Sequence, residues 1–181
     1  RFKRKCFFVL QLRFDKNILL FKKKLNTKNY RNNINNISID YITHRGNWYK
    51  KSWKGIKKKS GGIVYNIGIH LFDLLYYLFG EFKKIKVVTY KNDLLKLKLK
   101  IKKINVDILL STNKIYLPSN LRRKKIYQYR NINIDNFKLD FSKKFHTLHE
   151  NVYKKFIKNK GFRIDDFIYV IKTLNKYFKI N

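Results

Sequence analysis

The chain has 181 residues, 44 Lys and Arg against 11 Asp and Glu, a net charge of +33, and 17% aromatic residues. That length suits one domain with a real core, and the apolar content excludes an intrinsically disordered tail. A single cysteine, Cys6, excludes an internal disulfide framework and a cysteine-built zinc site, and no run of about 18 uncharged apolar residues announces a membrane span.

In chain order, FFVLQLRF over 7–14 reads as a buried strand interrupted by Gln11 and Arg13, with Cys6 as core packing at its start. Asp15 stands where a helix N-cap belongs, and that helix runs to about Leu25 with lysines near its C-terminus. The asparagine-rich NTKNYRNNINN reads as an exposed loop, and SIDYITHR over 38–45 alternates as a second strand. A glycine-containing loop follows, GNWYKKSWKGIKKKSGG. Residues 63–79 then show a helical pattern, with Gly80 at the C-terminal cap. FKKIKVVTY and LLKLKLKIKKINVDILLS predict two or three strands around the turn KND, and Leu95, Leu97, Leu99 and Ile101 alternate with lysines. Pro118 ends that run. KKIYQYRNINI and DNFKLDF are further strand candidates, before a helix from FHTLHENVYKKFIK, a break at Gly161, and a last helix from about Asp165 to Phe178. The sum is an α+β fold, a mostly antiparallel open sheet with helices packed on one face, in a single domain over 1–181.

The charge reads two ways. Thirty-five Lys, 20 Asn and 22 Ile against 9 Arg and no Ala is the composition of AT-rich codons, and the lysines are spread rather than gathered. That speaks against a specific nucleic-acid partner, because Arg, the bidentate reader of phosphate and bases, is not enriched. A basic RNA-binding or ribosome-associated protein stays as the alternative, with a non-functional remnant as a third reading. The chain starts with Arg and contains no Met, so a piece of a longer or split protein is expected.

Chemistry concentrates in the helix at 63–79. Asn66, His70 and Asp73 are four and three residues apart, which places them along one helix face. A histidine there can handle a proton at neutral pH, or be a satisfied half-buried residue. SGG ahead of the helix is a possible anion site and equally a turn. Arg45, Trp48, Tyr49, Trp53 and Lys54 combine stacking rings with cations, suited to a nucleotide-containing ligand or to single-stranded RNA. Asp40 with His44, and His146 with His149, lack the acidic company of a metal site, so no metal is expected.

YITHRGNWYKKSWKGIKKKSGGIVYNIGIHLFDLLYYLFG resembles the sugar-nucleotide branch of the Gfo/Idh/MocA oxidoreductases. VLQLRF, ILLSTNKIYLP and FSKKFHTLHENVYKKFIKNKGFRIDDF fit the same proteins in the same order. The resemblance implies the substrate-binding and oligomerisation domain of an NAD-dependent cytoplasmic dehydrogenase, acting on the 3-hydroxyl of a UDP-N-acetylglucosaminuronate-type sugar in lipopolysaccharide synthesis. NAD would be bound mainly by an N-terminal Rossmann domain that this sequence lacks, since neither G-x-G-x-x-G after a strand nor the family's Glu-Lys-Pro segment occurs. By position, His70 matches the catalytic histidine and Asn66 a substrate-contacting polar residue. Arg13, Arg45, Trp48, Tyr49 and Lys54 fall where the sugar nucleotide is lined, and Asp73 matches a structural or ligand-orienting carboxylate. The implied partners are the UDP-sugar, a second copy across the sheet face and a separately encoded Rossmann domain, with no membrane. The chain departs from the family at Tyr65, where a smaller residue is usual, at the lysines of 57–59 and 143–144, and in HTLHE.

Overall fold

The plainest alternation in the sequence is also the middle of the sheet. The computed structural model describes residues 5–142 and 146–178, without the side chains of 28, 29, 146 and 147. The chain begins with a 3-10 turn, Gln11–Phe14, then α1 (Lys16–Leu25), α2 (Lys28–Asn32), β1 (Asn36–Thr43), α3 (Asn47–Lys51) and α4 (Lys57–Ser60). A π-helical turn, Val64–Gly68, runs directly into α5 (Ile69–Phe79). Next come β2 (Phe82–Lys91), β3 (Leu94–Ile101), β4 (Ile104–Ser111), α6 (Ser119–Arg123), β5 (Gln128–Ile134) and β6 (Phe137–Asp140). Two helices, α7 (His146–Ile157) and α8 (Ile168–Tyr177), complete the described chain.

The strands form one sheet in the order β2-β3-β4-β1-β5-β6. Every pairing is antiparallel except β1 with β4. Leu95, Leu97, Leu99 and Ile101 are buried while Lys98 and Lys100 are exposed, so one face of β3 is dry and the other wet. The dry face continues through Val106, Ile108 and Leu110 of β4, Ile37 and Ile39 of β1 and Ile132 of β5. Phe21 of α1, Leu71, Leu74 and Leu75 of α5, Leu148 of α7 and Val170 and Leu174 of α8 share that core, so the helices do cover one face. Burying a leucine-sized side chain contributes about 1.5–3 kcal/mol, and α5 supplies several of them. This core fixes α5 against the sheet.

Asp15 caps α1 as expected, its carboxylate accepting from the amides of Asn17 (2.8 Å) and Ile18 (3.2 Å). The buried strand expected over 7–14 is not formed. Phe8 makes one isolated bridge to Phe162, and residues 11–14 turn as 3-10 helix. That turn lets Leu10, Leu12 and Arg13 all reach inward, which an alternating strand could not do. Phe7 stacks on Phe156 and Phe8 packs on Phe167, which leaves Cys6 outside the core, exposed. The asparagine-rich segment contains α2, and Asp165 and Asp166 lie in a short 3-10 turn ahead of α8 rather than inside it. The stretch 57–79 is long and apolar enough to pass for a membrane span, contrary to the reading of the sequence. Of its most apolar window 61% is buried within the fold, which is the setting of a core helix. Lys143 and Lys144, noted above as departures, lie outside the described residues.

Candidate active site

Gly61 adopts φ +73°, and a Cβ there would sit 2.6 Å from Cβ of Tyr65, so only glycine fits this entry to the helix. The amide of Gly61 donates to the Lys57 carbonyl at 2.8 Å, and that of Gly62 to Ser60 Oγ at 3.0 Å. Both amides of the SGG turn are thus engaged within the protein, and the Tyr65 ring packs beside them. Gly68, in the π turn, allows the helix to press on β4, since a Cβ would lie 2.9 Å from Leu110 Cδ2. A π turn inserted in a helix marks a departure from regular packing that recurs at functional sites.

His70 follows two residues later. Its Nδ1 is buried and has no hydrogen-bond partner among the described residues. Burial lowers its pKa to about 4, with the charge of His149 on α7 acting the same way, so the imidazole is neutral at neutral pH. A buried, unpartnered ring nitrogen costs free energy unless something arrives to bond it.

One turn on, Asp73 is satisfied. Arg13 Nε donates to its Oδ2 at 2.9 Å and Nη2 to its Oδ1 at 2.5 Å, and Nη2 also reaches the carbonyl of Asp166 at 2.9 Å. The guanidinium lies between the rings of Tyr77 (4.8 Å) and Phe162 (4.6 Å). Burial pushes the Asp73 carboxyl above its ordinary value, against the pull of Arg13. Arg13 is thus 5% exposed and engaged by protein groups, linking the 3-10 turn to the helix of His70. Both oxygens of Asp73 are thus bonded within the protein.

The remaining expected residues gather in the loop after β1. Asn66 donates through Nδ2 to the Lys54 carbonyl at 3.2 Å, tying that loop to the helix of His70. Arg45 sits 5.9 Å from the Tyr49 ring, and its Nε is buried with no partner. Tyr49 is buried and meets Trp48 edge-on, whereas Trp48 and Trp53 remain 54% and 58% exposed. Lys54 is exposed beside Trp53. A cleft of about 430 Å³ opens here, walled by Arg45, Tyr49, Lys50, Thr112 and Lys114 among others. His44 is held by the Thr112 carbonyl (3.3 Å) and the Tyr127 ring, while Asp40 lines the open sheet face. The side chain of His146 lies outside the described set.

Three polar residues were not singled out from the sequence as site residues. Gln11 is 4% exposed with Oε1 unpartnered, and Asn131 is 1% exposed with neither side-chain atom bonded. Arg130, 6% exposed, donates from Nε to Thr43 Oγ1 at 2.9 Å and lies 5.4 Å from the Tyr41 ring. Gln11 carried a signal, as a polar residue within the apolar run FFVLQL, whereas Arg130 and Asn131 sit in the mixed segment YQYRNINI and carried none. Among the described residues no strand leads through a glycine-rich turn into a helix in the manner of a dinucleotide cradle, and the one glycine pair is internally bonded, so these residues do not fit NAD by themselves.

A profile of the oxidoreductase family's C-terminal alpha/beta domain matches residues 32–106. The WlbA (WbpB) dehydrogenase from Thermus thermophilus, solved with NAD and alpha-ketoglutarate, is 36% identical with a TM-score of 0.85, over 93% of this chain and 53% of its own. The same enzyme solved with NAD and UDP-GlcNAcA gives 35% and 0.85 over the same shares. The WlbA dehydrogenase from Bordetella pertussis, in complex with NADH and UDP-GlcNAcA, shares the fold at 17% identity and a TM-score of 0.63, over 94% of this chain and 58% of its own. This chain spans about half the length of these relatives. The likeness to the Thermus enzyme runs through nearly all of the described fold, and in fold and sequence the chain matches the C-terminal alpha/beta domain of the Gfo/Idh/MocA oxidoreductases.

Proposed function

We propose that this domain binds the substrate of an NAD-dependent dehydrogenase that oxidises the 3-hydroxyl of a UDP-N-acetylglucosaminuronate-type sugar in the cytoplasm. The observation that carries the reading is the unpartnered Nδ1 of His70, buried in a fold with high similarity to an enzyme solved with UDP-GlcNAcA. In this reading a sugar hydroxyl supplies the missing hydrogen bond, and the neutral imidazole accepts or orients its proton. Asn66 keeps the loop of Arg45, Trp48 and Lys54 against the helix, so that cation and ring meet the ligand in fixed geometry. Arg13 and Asp73 hold the helix in register beneath.

The nicotinamide nucleotide supplies the hydride acceptor when bound, and its binding belongs to a Rossmann domain beyond the described residues, in the same polypeptide or a separate one. Assembly with a second copy uses the open sheet face. Lipopolysaccharide sugar synthesis is the setting the substrate suggests.

Calorimetric titration of the chain with UDP-GlcNAcA at moderate salt tests the reading, with single-stranded RNA as the competing ligand. Saturable binding of the sugar nucleotide, lost in His70→Leu without loss of fold, is expected. RNA affinity that depends steeply on salt and on Trp48 and Trp53, with no saturable binding of the sugar nucleotide, would replace it with the RNA-associated alternative.

A further inference from the structure

The lysines of this chain are spread along the sequence, but strand register gathers four of them at one end of the open sheet face. Lys84 lies directly opposite Lys100, and Lys86 directly opposite Lys98, across β2 and β3. The register shifts of this strand pair fall on either side of 84–87, so both lysine pairs keep to one face while Ile85 between them is buried. On β4, Asn105 stands opposite Lys100 and Asp107 opposite Lys98. All six residues line one hollow of about 400 Å³. Lys98 reaches Asp107 at 3.7 Å, and Lys84, Lys86 and Lys100 have no carboxylate partner among the described residues.

Like charges set directly opposite one another destabilise a strand pair, and here two such pairs follow in succession. A face that merely met water could alternate its charges and avoid that cost. Opposed side chains start about 5 Å apart and successive ones on the same face about 7 Å apart, so four ammonium groups are within reach of one small ligand.

We propose that this hollow binds a multivalent phosphate anion, a free chain of two or three phosphates. Four ammonium groups against one carboxylate call for an anion of several negative charges, which a single carboxylate or chloride does not supply. Lysines act on phosphate as compact point charges on flexible stems, so they close on its oxygens without the fixed fork an arginine needs. The Asn105 amide adds a neutral donor at the edge. A single nucleic-acid strand would also call for rings on which its bases stack, and none of the described residues lining the hollow is aromatic. The site lies on the face opposite the core that holds α5 and His70, so it goes beyond the sugar-nucleotide reading and does not depend on it. Its occupation would also remove the like-charge repulsion that opposes a second copy on this face.

Calorimetric titration of the full chain with triphosphate, pyrophosphate and orthophosphate at matched ionic strength tests the site. The variants are Lys98→Gln with Lys100→Gln, and Lys58→Gln with Lys59→Gln, which removes the same charge from exposed positions of α4. Saturable binding of one anion per chain is expected, tightest for triphosphate, falling roughly tenfold in the β3 variant and changing less than about twofold in the α4 variant. Equal losses in the two variants would assign the binding to the overall field of the +33 chain and overturn the proposal. Unchanged affinity in the β3 variant, or no saturable binding of triphosphate, would overturn it too. Duplex RNA that binds through Lys98 and Lys100 where triphosphate does not would give the face to a nucleic-acid backbone instead. No sugar nucleotide enters these titrations, so their failure leaves the dehydrogenase reading standing.

Discussion

Two arginines on this domain are placed in opposite ways, one buried and one half-buried. Arg13 has a bidentate carboxylate, a backbone carbonyl and two aromatic rings around it. Arg45 has a buried Nε with no acceptor, on the wall of a cleft. The helix of His70 lies under the same contrast, with Asp73 satisfied and His70 Nδ1 not. One set of buried polar groups thus holds the fold through bonds made within the protein, and the other keeps bonding capacity that the protein does not use.

Breaking the satisfied side should have the largest effect. Asp73→Leu leaves Arg13 buried without its carboxylate, and a loss of about 3–5 kcal/mol is expected in urea unfolding. The double variant Arg13→Met with Asp73→Leu should recover much of that loss, because no lone charge remains. If the single variant costs under about 1 kcal/mol, the pair is not the scaffold described here.

The unsatisfied side responds to pH instead. The folded-state pKa of His70 is about 4, below its ordinary 6.5. As pH falls below 6.5 the unfolded chain takes up a proton that the folded chain refuses, so stability is full above 6.5 and declines toward about 4. Each pH unit in that window is worth about 1.4 kcal/mol, giving a decline on the order of 3 kcal/mol. Unfolding of wild type and His70→Gln across this range should show a shallower slope in the variant. Identical slopes would mean that His70 titrates normally.

A smaller effect sits on the open sheet face. Lys84 faces Lys100 and Lys86 faces Lys98 across β2 and β3, and Lys98 reaches one carboxylate, Asp107, at 3.7 Å. Like charges directly opposed are unfavourable, so Lys100→Glu should stabilise by a few tenths of a kcal/mol at low salt, fading as salt rises. The same substitution should favour self-association through this face. Weaker association at low salt would count against assembly there.

The legible parts of the sequence were those decided locally. The lysine–leucine alternation of 95–102 has one solution in a sheet with one dry face, and Asp15 ahead of an apolar-periodic segment has one use. The run 7–14 misled because a short apolar stretch does not reveal whether it will pair as a strand, and here the ion pair from Arg13 to Asp73, sixty residues away, draws it into a 3-10 turn. Helical spacing brought out Asn66 and His70, and the rings and cations of the loop brought out Arg45, before the family resemblance gave them roles. None of these could reveal that Arg13 is bonded to Asp73, or that Arg130 is buried opposite Tyr41 and bonds Thr43, because both facts depend on strand register and helix packing. The π turn was equally hidden, since its residues read as ordinary helix.

The most direct measurement is the imidazole resonance of His70, assigned by comparison with His70→Gln and titrated with pH before and after adding UDP-GlcNAcA. The account predicts a neutral ring with a pKa of about 4 in the free domain, and a change in its resonance when a ligand hydroxyl bonds Nδ1. A resonance indifferent to saturating UDP-GlcNAcA would contradict the claim that the unsatisfied groups of this domain await that substrate.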